Sequence, residues 1–160
     1  RPELTVYNAI PTAEGCIGIL LERRSRTLWG TAVLVLGFGP VGRALAVRLA
    51  ALGARVTVAA RRPVQRAMAE ELGLRAAFDT VVNTIPAPVL TAAVLAALPK
   101  GCLIVDLASK PGGTDFAAAR RLGHTALHAL SLPTVWAPET AGEALARTVQ
   151  AILQEREGTV

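Results

Sequence analysis

The strongest chemical signal in this sequence is a spacing of glycines. Gly37-Phe38-Gly39-Pro40-Val41-Gly42 follows the apolar run "TAVLVL" and opens onto "VGRALAVRLAALG". A strand, a glycine turn of this spacing and a helix make a cradle for a pyrophosphate. The first glycine permits the tight turn, the second lets phosphate approach the backbone, and the third lets helix and strand pack closely. Phosphate would lie on the N–H groups at the helix start, where the helix dipole favours an anion. Pro40 removes one N–H but presets a helical φ there.

The second signal is an exchange of charge. "VTVAARRP" ends the next apolar run where a dinucleotide fold of the NAD type places an acid for the ribose 2′-hydroxyl, about 20 residues past the glycines. Ala59 and Ala60 stand there instead, and Arg61 and Arg62 follow, with Arg66 one helix turn on. An acid would repel a 2′-phosphate, whereas a guanidinium fork matches its oxygens. The segment therefore reads as an NADP site, with NAD the lesser alternative and Arg61 the first choice for the phosphate.

A third set lies at the carboxyl ends of later apolar runs, where ligands bind in this kind of fold. Asn83 and Thr84 end "DTVVNT", and Ile85 and Pro86 follow as surfaces for the nicotinamide ribose or ring. Asp106 ends "CLIVD" and completes the cofactor set. Ser109, Lys110, Gly112, Gly113 and Thr114 form the turn after it.

These groups need a scaffold, and the pattern supplies one. Short β-branched runs alternate with longer Ala- and Leu-rich stretches. The strands read "TAVLVLGFG", "ARVTVAA", "DTVVNTIP", "CLIVDLAS" and one near "HTALHAL". The helices read "VGRALAVRLAALG", "VQRAMAEELG", "PVLTAAVLAALPKG", "TDFAAARRLG" and about Ala141 to Glu155. Alternation with nearly continuous apolar strands predicts an α/β fold, a Rossmann-like doubly wound parallel sheet with helices on both faces. A further helix is expected in "NAIPTAEGCIGILLERRSR", capped by Thr12 with Glu14 in its first turn. It lies outside the alternation. Residues 1–30 are therefore expected to connect the domain of 31–160 to another domain, and the start without Met to mark an excised piece.

Composition excludes several classes. The 160 residues are 52% hydrophobic and 4% aromatic, with a formal charge of +5. The arginines are scattered and have no interleaved aromatics, so no nucleic-acid partner is expected. No apolar run reaches membrane-spanning length, so no membrane association is expected. Cys16 and Cys102 make neither a disulfide framework nor a CxxC pair, which makes the cytoplasm the default compartment. His124 and His128 are four apart on a strand or loop with no third ligand near in sequence, so no metal is expected. Ser131 lacks the His–Asp arrangement of a nucleophile.

Together "NAIPTAEG", "VLVLGFGPVGRALAVRLAALGARVTVAAR", "NTIPAPVL", "DLASKPGGTDF" and "APETAGEAL" resemble the A subunit family of dipicolinate synthase. The resemblance spans nearly the whole chain in order. It implies a sporulation enzyme of the mother cell that oxidises dihydrodipicolinate to pyridine-2,6-dicarboxylate, passing a hydride to a nicotinamide cofactor. The partner it implies is a B subunit. It also implies an N-terminal domain before "NxIPTAEG", so this stretch alone should bind cofactor but turn over little. The substrate is a dianion and needs fixed cations. With the resemblance, Lys110 becomes the candidate catalytic and carboxylate-binding residue, and Ser109, Gly112, Thr114, Asn8 and Thr12 the candidate substrate contacts. Two other readings stay open: a D-2-hydroxyacid or shikimate-type NADP-dependent dehydrogenase, and a non-enzymatic nucleotide-sensing module. A homo-oligomer is left open as well.

Overall fold

In the computed structural model, residues 2–59 and 78–157 are described. The chain runs α1 (Pro2–Arg23), β1 (Ala32–Leu36), α2 (Pro40–Ala51), β2 (Arg55–Ala59), β3 (Thr80–Asn83), α3 (Ala92–Ala97), β4 (Leu103–Asp106), α4 (Phe116–Arg121), β5 (Thr125–His128), α5 (Leu132–Trp136) and α6 (Pro138–Glu157). The stretch "VQRAMAEELG", with Arg61, Arg62 and Arg66, lies outside the described residues.

The strands form one five-stranded sheet in the order β2-β1-β3-β4-β5, every pair parallel. Alternation within each strand divides the core in two. Leu34, Leu36, Val81 and Ile104 point to one face and pack with Val94 and Leu95 of α3 and Ala118 and Ala119 of α4. Val33, Val35, Val82 and Val105 point to the other, where Ala13, Cys16 and Leu20 of α1 meet Leu45 and Leu49 of α2 and Leu132 of α5. A side-chain period of two sends neighbours to opposite faces, so both faces are covered, as parallel sheets require. The α/β, doubly wound Rossmann-like fold is thus observed.

Helix α1 differs from its sequence reading. Thr12 is not an N-cap, because the helix begins at Pro2 and runs through Pro11. Proline removes a helical hydrogen bond there. The burial of Ala9, Ala13, Cys16 and Leu20 along one stripe outweighs that loss. The helix therefore docks on the sheet and shares its core. Trp136 of α5 lies across α1 at Gly15 and Gly18; an added Cβ would overlap its indole at Gly18 and press on it at 3.0 Å at Gly15. The last helical segment also differs from its expected Ala141 start. A short α5 precedes it, Ala137 turns out of helical geometry at φ −144°, and α6 starts at Pro138. Among the described residues no helix is long and apolar enough to cross a membrane.

Candidate functional site

Strand order reverses between β1 and β3, since β1 leads to β2 on one side and its other neighbour is β3. Crevices for ligands open beyond the carboxyl ends of strands at such a point. The glycine turn sits there. Gly37 leaves β1 at φ +99°, a conformation L side chains rarely adopt, and its N–H donates to Ala59 O of β2 at 2.9 Å. A Cβ on Gly37 would overlap Thr84 Oγ1, and one on Gly42 would overlap Gly37 O. Around Gly39 there is open space instead. That is the geometry a phosphate needs: two glycines enforce close packing and the middle one faces room.

Helix α2 begins at this opening without a side-chain cap at Gly39 and without an acid in its first turn, and Pro40 holds its first position. Its N-terminal amides are thus offered to an anion. The cleft encloses about 390 Å³ between Gly37–Gly42 on one side and Thr84, Ile85 and Pro86 on the other. Thr5 of α1 also lines it. The Arg43 guanidinium lies 5.8 Å from the centroid of the exposed Phe38 ring. A dinucleotide pyrophosphate fits this donor set.

The opposite wall is held from below. Thr84 Oγ1 donates to Leu36 O at 2.8 Å, which ties β3 to β1 under the glycine turn. Asn83 is fully buried and grips Ile85 in both directions: its Nδ2 donates to Ile85 O and its Oδ1 accepts from Ile85 N, each at 3.0 Å. Asp106, equally buried, is Asn83's register partner on β4. Its Oδ1 accepts from Asn83 Nδ2 and Ala108 N, and its Oδ2 from Gly113 N at 2.8 Å and Thr114 Oγ1 at 2.6 Å. The sequence reading takes Asn83 and Asp106 as cofactor contacts. In the fold they hold each other and the loops, and Thr84, Ile85 and Pro86 form the surface.

The turn after β4 rests on this base. Gly112 N donates to Ser109 O at 2.8 Å and closes the turn. Gly113 O accepts from Val89 and Leu90, and its backbone lies so near Ile85 and Ala87 that an added Cβ would sit 2.7 and 2.5 Å from their carbonyl oxygens. The turn and the cleft wall are therefore one packed unit. Ser109 and Lys110 lie exposed at its tip. Gly112 and Thr114 line a neighbouring cavity of about 290 Å³ with Pro88, Leu90 and Thr91. Asn8 and Thr12 are half-buried on α1 and are not among the lining residues of either cavity.

Each histidine binds a backbone carbonyl. His124 Nε2 donates to Leu95 O at 2.8 Å, and His128 Nε2 to Ala108 O at 2.7 Å. Among the described residues no three metal-ligating side chains converge. Sequence reasoning missed Thr5, Arg43 and the part His128 plays beside the turn.

Comparison with known proteins fits this geometry. The A subunit of dipicolinate synthase from Bacillus subtilis (strain 168) is 40% identical over 166 aligned residues, covering 97% of this chain and 56% of the relative. The crystal structure of the same subunit from Bacillus halodurans superposes with a TM-score of 0.86 at 43% identity, covering 96% of this chain and 56% of that one. The crystal structure of the Bacillus subtilis protein gives a TM-score of 0.88 at 39% identity, with 100% and 57% covered. This chain thus spans a little over half the length of these relatives. The sequence pattern of the D-isomer specific 2-hydroxyacid dehydrogenase NAD binding domain matches residues 20–108, from α1 across the glycine cradle to just past the end of β4. That stretch holds the glycine turn and the facing Thr84–Pro86 wall, and the chain belongs to this family of NAD-binding domains.

Proposed function

We propose that this chain is the NADP-binding domain of a dipicolinate synthase A subunit, which oxidises dihydrodipicolinate to pyridine-2,6-dicarboxylate. The observation that carries the reading is the glycine cradle at the β1/β3 switch point, in a chain 40% identical to the A subunit of a dipicolinate synthase. The nicotinamide, when bound, supplies the hydride acceptor. Loss of a hydride and a proton from the dihydro ring makes it aromatic, so the protein's task is to hold the ring and exclude water. Ile85 and Pro86 form the wall against which the ring is held. Lys110 receives a substrate carboxylate from the exposed turn. The site is completed by the further length the relatives possess, and the expected partner is a B subunit.

Preference for NADP rests on charge. Ala59 ends β2 directly beside the glycine turn, where the acid of an NAD site would stand, and Arg61 and Arg62 follow. The test is incubation of the chain, alone and joined to the remaining length of the relatives, with dihydrodipicolinate and NADP, monitored for pyridine absorbance. Pyridine formed at a rate that depends on the cofactor supports the reading, and none under either condition sinks it. In parallel, Arg61→Ala with Arg62→Ala should weaken NADPH binding at least tenfold, roughly the worth of one charge-assisted contact, and leave NADH within about twofold. Equal affinities before and after would end the 2′-phosphate claim.

A further inference from the structure

At the carboxyl edge of the sheet three polar residues stand in register on adjacent strands: Asn83 on β3, Asp106 on β4 and His128 on β5. The first two hold the cleft wall. The third is tied to the loop that follows β4. A carbonyl can only accept, so the hydrogen bond at 2.7 Å to Ala108 O places a proton on His128 Nε2. Ala108 is therefore held from both sides, its N–H by Asp106 and its carbonyl by His128. It is the residue immediately before the Ser109–Gly112 turn.

The ring is itself fixed. Phe116, the first residue of α4, stacks on it with centroids 5.5 Å apart and planes inclined by 27°. Gly112 closes the turn against its edge. A Cβ there would stand 3.1 Å from Asp106 Oδ2 and 3.2 Å from His128 Nε2, and the residue has φ +83°. So the turn lies directly on the Asp106–His128 pair, and its tip carries Lys110. We propose that His128 is a positioning residue: its Nε2–H and its stacked ring set the place of the Ser109–Gly112 turn and thereby aim Lys110 beside the cleft. The aim of Lys110 at a carboxylate rests on the functional reading above. The dependence of the turn on His128 does not.

Two substitutions separate the parts of the side chain. His128→Phe keeps a flat ring against Phe116 and removes the donor. His128→Gln keeps an N–H at nearly the distance of Nε2. Amide hydrogen exchange on the 160-residue chain reads the turn at Gly112 and Gly113, with Leu45 and Leu49 of α2 as reference. His128→Phe should speed exchange at the turn about tenfold, the expected effect of one lost half-buried hydrogen bond, and leave α2 unchanged. His128→Gln should return it to within about threefold of wild type. With NADP present and the chain joined to the remaining length of the relatives, pyridine-2,6-dicarboxylate should bind about tenfold more weakly to His128→Phe, with Gln again restoring it and NADP affinity unmoved.

Unaltered exchange in His128→Phe overturns the proposal. So does a Gln variant as loose as Phe, or a rise in α2 exchange equal to that in the turn. If the exchange pattern holds and wild type, joined to that remaining length, binds no pyridine-2,6-dicarboxylate, the substrate reading fails while the positioning role stands.

Discussion

The sheet has a polar cluster at each end, and they are built differently. At the amino end Arg24, nearly buried, donates to Asp79 Oδ1 at 3.0 Å, to Thr80 Oγ1 and to Thr31 Oγ1 at 2.8 Å. It ties the chain after α1 to β3 and to the approach to β1. Each of its partners has another outlet. Thr80 also donates to Asp79, Thr31 donates to Thr27 O, and the Asp79 carboxylate is 57% exposed. At the carboxyl end Asn83 and Asp106 are wholly buried and direct their hydrogen bonds mainly to loop backbone. One cluster fastens elements that already pack. The other suspends loops that have no regular structure to hold them. A binding cleft needs the second kind, because its walls must be exposed and still fixed.

The comparison breaks or holds on two variants. Asp106→Ala strips the acceptor from two buried backbone amides and from Asn83, and should cost about 4 kcal/mol in urea unfolding. The Asn83 grip on Ile85 then loses its support, so NADPH affinity should fall about tenfold among the molecules still folded. Arg24→Met leaves an exposed carboxylate that water solvates and hydroxyls with other partners. It should cost less, about 2 kcal/mol, and leave NADPH affinity within about twofold. If both variants weaken NADPH equally, the two ends are not functionally distinct.

The two regions were also unequally legible in the sequence. The glycine turn was legible because backbone geometry dictates it: Gly37 at φ +99° and Gly42 against a carbonyl admit no side chain. The strands were legible from apolar continuity, and both faces of the sheet proved covered as that continuity implied. Asn83 and Asp106 stood out as polar residues at strand ends, but a polar residue there can face a ligand or hold a loop. Only their neighbours in space, 23 residues apart in sequence, show the holding. The start of α1 was misplaced because Pro11 and Thr12 make a good local boundary that tertiary packing overrides. Gly15 and Gly18 carried no local sign that Trp136 would cover them. The arginines of "VTVAARRP" lie outside the described residues, so charge logic alone supports their role.

The smallest effect concerns the thiols, which sharpen the same contrast. Burial alone pushes the Cys16 thiol from its ordinary 9.0 up to about 12, in the helix face of the core. Cys102 is also raised to about 12, first by burial and then by Asp79, with Arg24 acting against it, so it feels the amino-end cluster. Both pKa values are higher folded than unfolded. Their stabilisation is therefore complete below about pH 9 and declines as pH rises from about 9 towards 12, because only the unfolded chain ionises in that window. For one thiol the loss at pH 9.5 is on the order of 1 kcal/mol. Urea unfolding at about pH 8.0, 9.0 and 9.5 should show wild type losing stability with pH, and Cys16→Ala losing it about half as steeply. In Arg24→Met the decline should remain, since removing the cation raises the Cys102 thiol further. Identical slopes in wild type and Cys16→Ala would mean that Cys16 ionises alike in both states, and that water reaches the α1 face of the core.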